Sequence, residues 1–230
     1  MALRARTLTF VAVAALAACG GHAVRPVDAR VEVHGQKLAV RCSGSGSPSV
    51  VFDEALTFDS TEWAVILPRV AKITRACAYD RLGEGRSDRV RAGVVQTVAD
   101  QAGTLSALLD KAGIAPPYVL VGHSWGGAVA LHLATATDLV TRLVLEDPAI
   151  GQRHPNRERR ALVEEGFVGQ VGLSRIEAEQ RARANLELGW SAEDVAGKVD
   201  AATKGSPAAV RAVFDENRPW ELHPLLPALR

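Results

Sequence analysis

The segment 118–127, with the sequence YVLVGHSWGG, decides the fold of this chain. Its first four residues are apolar, as is typical of a β-strand that is buried on both faces. The next part matches the pattern G-x-S-x-G around Ser124, and a helix-forming stretch follows directly. In this context the pattern predicts a sharp strand–turn–helix that holds the hydroxyl of Ser124 above one edge of a sheet.

The residue types in this turn suit nucleophilic chemistry. Gly122 and Gly126 flank Ser124 at two residues on either side, where a tight turn forces the strand and helix backbones together. The helix N-terminus would direct backbone N–H groups and a positive dipole towards negative charge that develops during acyl transfer. We therefore predict Ser124 as a nucleophile; a tight turn with an incidental serine is the competing interpretation.

Strand-type and helix-type segments alternate on both sides of this turn, which predicts an α/β fold with a mostly parallel, doubly wound sheet. The predicted strands are 29–33, 37–42, 49–53, 74–79, 118–121 and 142–145, and the predicted helices are 62–72, 97–113 and 125–137.

Beyond this core, at 31–150, the character of the chain changes. Residues 151–218 are charged, Ala-rich and periodic in the manner of helices, so we predict a helical cap over the sheet. Residues 219–230 have the character of a linker that leads towards a further strand.

Three segments together resemble the α/β-hydrolase family of the AB hydrolase-1 type. They are 79–88 (YDRLGEGRSD), 116–127 (PPYVLVGHSWGG) and 143–148 (LVLEDP), in the family's usual order and spacing. The resemblance covers roughly residues 30–150 and implies a serine hydrolase that needs no metal and no cofactor.

The resemblance also implies roles for particular residues. Ser124 is the nucleophile, and the backbone N–H of Trp125 is one donor to the oxyanion. The second donor comes from the loop after strand 49–53, where the carried-over position is Leu56. Asp80 and Arg81, with Ser87, belong to a structural turn beside the site.

A serine nucleophile needs a general base, and the resemblance places the acid and the histidine after the nucleophile, on the last strands of the sheet. None of the six histidines occupies that position. His154 and His223 are the candidates for testing, and Asp147, at the end of strand 142–145, is a candidate acid. We expect a hydrolase truncated before its last strands, with 142–145 as an exposed edge and a marginally stable or oligomeric domain.

The N-terminus predicts export. Two arginines precede an apolar run, 7–15, that is too short to span a bilayer. Segment 16–20, LAACG, resembles the bacterial lipobox, which implies a signal peptide at 1–18 and a lipid on Cys19. Residues 19–30 would then tether the domain to a membrane surface. A plain secretory peptide is the competing interpretation.

The remaining cysteines are an even pair, Cys42 and Cys77, on two strands that the predicted fold makes neighbours. A disulfide is therefore possible in an oxidising compartment. Two buried free thiols are an equally weighted alternative.

The charge pattern narrows the function classes. Lys and Arg total 27 and Asp and Glu total 26, giving a net charge of +1 without a basic stripe, so we exclude a nucleic-acid partner. We predict an exported serine hydrolase that acts on a small-molecule ester or amide through an acyl-enzyme on Ser124. The alternative is a non-catalytic surface lipoprotein or an inactive hydrolase remnant. A dehalogenase or epoxide hydrolase is disfavoured because those enzymes carry aspartate at the position of Ser124.

Overall fold

The computed structural model describes residues 27–151, 157–187, 191–217 and 221–229. These residues form a six-stranded sheet in the order β1-β2-β4-β3-β5-β6. The strands are β1 (Val27–Val33), β2 (Gln36–Ser43), β3 (Ser49–Asp53), β4 (Ala76–Tyr79), β5 (Tyr118–His123) and β6 (Val140–Glu146).

The described helices fall into a core group and a later group. The core group is α1 (Leu67–Val70), α2 (Val98–Lys111) and α3 (Trp125–Ala136). The later group is α4 (Arg157–Val168), α5 (Arg175–Glu187), α6 (Ala192–Lys204) and α7 (Pro207–Glu216). Two 3₁₀ helices span Ser60–Trp63 and His223–Ala228.

The sheet is parallel in its centre and antiparallel on one side. β3 pairs in parallel with β4 and β5, and β5 pairs in parallel with β6, whereas β2 is antiparallel to both β1 and β4. One face packs against α2 and α3, and the other packs against Trp63 and Leu67. The predicted α/β architecture, with a mostly parallel sheet covered on both faces, is confirmed.

Helix α2 begins where its capping residues predict. The side chain of Thr97 accepts a hydrogen bond from the Asp100 N–H at 3.1 Å, which satisfies one of the donors exposed at a helix start. The indole N–H of Trp125 donates to Gln101 Oε1 at 2.9 Å inside the core. This bond ties the first turn of α3 to α2 and fixes the start of the helix that follows the turn.

Two predicted segments differ from the structure. The single helix expected at 62–72 is instead a 3₁₀ helix followed by the one-turn α1, which begins with a proline in its first turn. Residues 27–30, assigned to the tether, belong to β1, because their backbones pair with β2 from Val27↔Cys42 onwards. The rest of the tether, the predicted signal peptide and Cys19 lie outside the described residues.

Helices α4 to α7 occupy the described part of the predicted cap. Val210, Val213 and Phe214 of α7 join the main core, and Val98 N–H donates to Asn217 Oδ1 at 2.8 Å. No helix in the described ranges combines the length and apolar character needed to cross a membrane.

Within the segment predicted as a linker towards a further strand, residues His223–Ala228 form a 3₁₀ helix. Leu222 N–H donates to the carbonyl of Ile150 at 2.7 Å, and Glu221 pairs with Gly151 in an isolated β-bridge. These contacts hold the segment against the loop that follows β6. Strand β6 itself is an edge of the sheet, and Val144 is 51% exposed.

Cys42 and Cys77 lie directly opposite each other on β2 and β4. Their sulfur atoms are bonded at 2.10 Å, and their Cα atoms are 4.0 Å apart. The disulfide therefore joins the antiparallel side of the sheet to its parallel centre.

Candidate active site

The turn between β5 and α3, residues 122–126, is the elbow of the predicted strand–turn–helix. Ser124 has φ 49° and ψ −110°, a left-handed conformation that is unfavourable for a residue with a side chain. Its N–H donates to the carbonyl of Glu146 at 2.9 Å, and its own carbonyl accepts from Ala149 N–H at 2.8 Å. The end of β6 and the loop after it thus hold the strained serine in place.

The glycines of the elbow are required by close backbone contact. A Cβ on Gly126 would lie 2.4 Å from the carbonyl oxygen of Asp53, and one on Gly122 would lie 2.5 Å from the carbonyl oxygen of Gly126. Any side chain at either position would collide with backbone. The start of α3 is therefore pressed against the end of β3.

The loop after β3, residues 54–59, adjoins this elbow. Gly126 N–H donates to the carbonyl of Glu54 at 3.1 Å, which links the two segments directly. Ala55 N–H donates to Glu62 Oε2 at 2.9 Å and Thr57 N–H donates to Glu84 Oε1 at 3.1 Å. Between them, the N–H of Leu56 has no acceptor among the described residues, so this predicted donor is available to a ligand.

A buried guanidinium supports the 54–59 loop from below. Arg81 Nη1 lies 2.5 Å from Asp53 Oδ1 and donates to the carbonyl of Glu54 at 2.5 Å, while Nη2 donates to the carbonyl of Ala55 at 2.7 Å. Nη2 also lies 2.9 Å from Glu84 Oε2. The structural role that the sequence assigned to Arg81 is thus carried by direct bonds to the loop.

The acidic partners of Arg81 are strongly perturbed by burial. Removal from water raises the pKa of Glu54 well above its usual range and the pKa of Glu84 to about 7, and the charge of Arg81 opposes both shifts. Oε2 of Glu54 has no hydrogen-bond partner in the described structure, whereas Oε2 of Glu84 faces Nη2 of Arg81. Burial thus disfavours the charged form of Glu54, and the single guanidinium of Arg81 is shared among the two carboxyls and Asp53.

A second acid joins the loop to the elbow. Glu62 Oε1 lies 2.5 Å from His123 Nδ1, while Oε2 accepts the Ala55 N–H. The hydrogen bond to Glu62 raises the pKa of His123. This pair was not predictable from the sequence, since 61 residues separate Glu62 from His123 and no motif connects them.

The predicted acid and bases are less closely organised. Asp147 follows β6 with φ 39°, is exposed, and makes no hydrogen bond within the described residues. His223 is exposed; its Nδ1 contacts Glu221, and its ring packs against Gly151. His154 lies outside the described residues.

The hydroxyl of Ser124 has no hydrogen-bond partner among the described side chains and backbone groups. The structure therefore brings Ser124, Leu56, Trp125 and Asp147 to one end of the sheet. It does not place a described histidine on the serine oxygen.

The described residues offer no metal-binding group, and the main groove lies away from the elbow. No group of three His, Cys, Asp or Glu side chains in the described ranges could hold a metal ion. A groove of about 1290 Å³ runs along α2 and the start of β5, lined in part by Val33, Ala107 and Tyr118. None of its lining residues belongs to the elbow or the 54–59 loop, so we do not assign it to the same site.

A covered α/β sheet with a serine on a strained strand–helix elbow defines the class of α/β hydrolases. The comparison with family models agrees: residues 33–230 match the alpha/beta hydrolase family, and the chain belongs to that family.

Relatives of known sequence match about half of the chain. Lipase LipV of Mycobacterium tuberculosis is 40% identical over 111 residues, which are 48% of this chain and 41% of that protein. An uncharacterised protein of Bacillus subtilis, YqjL, is 31% identical over 109 residues, 47% of this chain and 42% of that protein. The matching part thus spans less than half the length of these relatives.

Solved structures share the fold over most of the chain. A thermophilic esterase from Thermogutta terrifontis has a TM-score of 0.69 and 24% identity, covering 90% of this chain and 77% of that one. A membrane phospholipase A described as a bacterial virulence factor has a TM-score of 0.69 and 20% identity, covering 89% and 67%.

Proposed function

We propose that the chain is an exported serine hydrolase that cleaves a small-molecule ester or amide through an acyl-enzyme on Ser124. The observation that carries the proposal is the elbow: Ser124 is strained, and its hydroxyl has no partner among the described residues. The adjoining loop, bonded to Gly126 N–H through Glu54, carries Leu56, whose N–H has no acceptor in the described ranges either. Relatives named as a lipase and an esterase support an ester as the bond that is cleaved.

The proposed reaction has two halves. In the first, Ser124 Oγ attacks the carbonyl carbon, its proton passes to a base, and the leaving alcohol or amine takes that proton as the carbon–heteroatom bond breaks. The oxyanion accepts hydrogen bonds from the N–H groups of Leu56 and Trp125. In the second half, water attacks the acyl-enzyme and releases the acid and the free serine.

The general base of this mechanism still has to be assigned to a residue. We propose His223 and His154 as the two candidates, with Asp147 as the acid. His223 has the feature that a base requires, since its Nδ1 is already oriented by the carboxylate of Glu221.

The test is hydrolysis of p-nitrophenyl butyrate by the purified protein and by Ser124→Ala. We expect the substitution to reduce turnover to background, a loss on the order of 10⁶-fold where serine and base act as one unit. Ser106→Ala, an exposed serine on α2, is the matched control and should leave the rate unchanged. His223→Ala and His154→Ala then decide between the candidate bases.

One observation favours a second candidate function. Because no described histidine contacts Ser124, the chain could bind an apolar ligand or serve as a surface lipoprotein without catalysis. Equal, near-background rates for the wild-type protein and Ser124→Ala would mean that the elbow is a relic, and the functional question would move to binding and anchoring.

We also propose export and a lipid anchor, with a signal peptide at 1–18, a lipid on Cys19 and a membrane-anchored location. The disulfide between Cys42 and Cys77 supports an oxidising compartment. Labelled palmitate should be incorporated into the wild-type protein in bacterial cells and not into Cys19→Ser. Equal labelling of both would refute the anchor.

A further inference from the structure

Lys198, on α6, lies over the 54–59 loop. Its Nζ is 3.4 Å from the centroid of the Phe58 ring and makes a long contact of 3.5 Å with Gln170 Oε1. The same Gln170 oxygen accepts a hydrogen bond from Thr57 Oγ1 at 3.3 Å. A cation of the cap thus stands directly on the loop that contains Leu56.

The backbone under Lys198 is fixed by a close contact. A Cβ on the neighbouring Gly197 would lie 2.4 Å from Thr61 Oγ1, so α6 can approach the 3₁₀ helix only because residue 197 is glycine. Lys198 therefore projects from an anchored helix rather than from a freely moving surface segment.

Within the described ranges, the ammonium group of Lys198 forms no ion pair with a carboxylate. Asp59, Glu62 and Glu84 lie near enough to stabilise the cation, but no carboxylate oxygen of the described residues is within 4.0 Å of Nζ. Glu62 and Glu84 are already bound as described above, and Asp59 accepts from Thr61 N–H at 2.9 Å.

An ammonium group has three N–H donors, and the described structure offers it one aromatic face and one distant amide oxygen. Burial lowers the pKa of Lys198 to about 8, so the group is still mostly cationic at neutral pH. A partly buried cation with unused donors is a suitable partner for an anion, because a charged hydrogen bond would offset its lost hydration.

The location connects this cation to the catalytic serine. Glu62 contacts His123, the residue before Ser124, and also holds Ala55 of the loop beneath Lys198. We propose that Lys198 binds a carboxylate of the substrate, so that the preferred substrates are esters or amides whose acyl or leaving group carries a negative charge. This inference rests on the proposed hydrolase function and names its substrate class.

The test compares two esters with the same leaving group, mono-p-nitrophenyl succinate and p-nitrophenyl butyrate. Replacing the charged hydrogen-bond donor by an uncharged thioether in Lys198→Met should lower kcat/KM for the succinate ester about 10- to 100-fold more than for the butyrate ester. Lys198→Arg should keep part of the preference. Lys204→Met, an exposed lysine at the end of the same helix, is the matched control and should leave the preference unchanged.

The outcomes separate this inference from the proposed function. If the wild-type protein hydrolyses both esters and Lys198→Met lowers both equally, Lys198 is only a counter-charge for the acidic loop and the inference is wrong. If the wild-type protein hydrolyses neither ester, the proposed function fails, and monomethyl succinate is titrated by calorimetry instead. Binding at least about 10-fold weaker in Lys198→Met would then support the inference, and equal or absent binding in both folded proteins would overturn it.

Discussion

The two sides of the elbow are built very differently. On the β3 side, the 54–59 loop is buried; its N–H groups donate to Glu62 and Glu84, and its carbonyls accept from Arg81. On the β6 side, Val144 is half-exposed, Asp147 has no partner among the described residues, and His223 lies in the open. The comparison shows that the 54–59 loop, which carries the proposed oxyanion donor Leu56, is fixed by buried contacts, whereas the side chains proposed as acid and base are not.

The largest test of this contrast is Arg81→Met, which removes the cation under the loop. Asp53 and Glu84 would be left buried without their partner, and we expect a loss of about 3–5 kcal/mol in the free energy of unfolding, measured by urea denaturation. The control is Arg211→Met, which breaks an exposed ion pair with Glu165 and should cost far less. Similar losses in the two variants would show that the β3 side is not the rigid one.

A pH titration sharpens the same contrast. Glu84 has a pKa of about 7 when folded against a usual 4.5, so the folded protein holds this proton more tightly than the unfolded chain. Its contribution to stability is therefore fully present below about pH 4.5 and is lost as the pH rises through about 7, an effect on the order of 3 kcal/mol.

Glu84→Gln keeps an oxygen for Thr57 N–H but cannot ionise. Between about pH 5 and about pH 8, its free energy of unfolding should fall less steeply than that of the wild-type protein. Parallel curves for the two proteins would mean that Glu84 is an ordinary ionised carboxylate.

A smaller effect is expected from Gly126→Ala. The new methyl group would press against the carbonyl of Asp53, which belongs to a buried strand and cannot move freely, at a cost of about 1–3 kcal/mol. Gly103→Ala on α2, where a Cβ meets nothing within 4 Å, should instead stabilise the helix by about 0.5–1 kcal/mol. Thermal unfolding that shifts in the same direction for both would contradict the close contact.

The smallest effect is expected on the β6 side. Val144→Lys places a charge on an exposed position of the edge strand, and the change in the free energy of unfolding should stay within about 0.5 kcal/mol. A loss of several kcal/mol would reveal that Val144 is covered in solution and that the two sides are more alike than the structure indicates.

Features that depend on residues close together in the sequence were predictable, and features that depend on contacts between distant residues were not. The elbow and the start of α2 were predictable because glycine spacing and a Thr97–Asp100 cap are local signals. The helix expected at 62–72 was wrong: the chain forms a 3₁₀ helix and then a one-turn helix there, and the side chain of Glu62 contacts the distant His123. The apolar periodicity in that segment could not reveal this contact.

In the candidate site, too, local motifs were predictable and long-range contacts were not. Ser124 was visible in a five-residue motif, while the raised pKa of Glu54 depends on the burial of several acids around one guanidinium. Lys198 was not predictable as a site residue, because a lysine on a charged helix ordinarily faces solvent. Only the packing of α6 on the Ser60–Trp63 helix places it over the loop.

The disulfide between β2 and β4 has a mechanical consequence. Tension applied at Val27 would peel β1 from β2 and then draw on β2 until it reached Cys42. From there the covalent bond would pass the load straight to Cys77, bypassing the chain in between. That bypassed stretch contains β3 and the 54–59 loop. The loop next to Ser124 would therefore carry no tension while the domain was pulled from its N-terminal side.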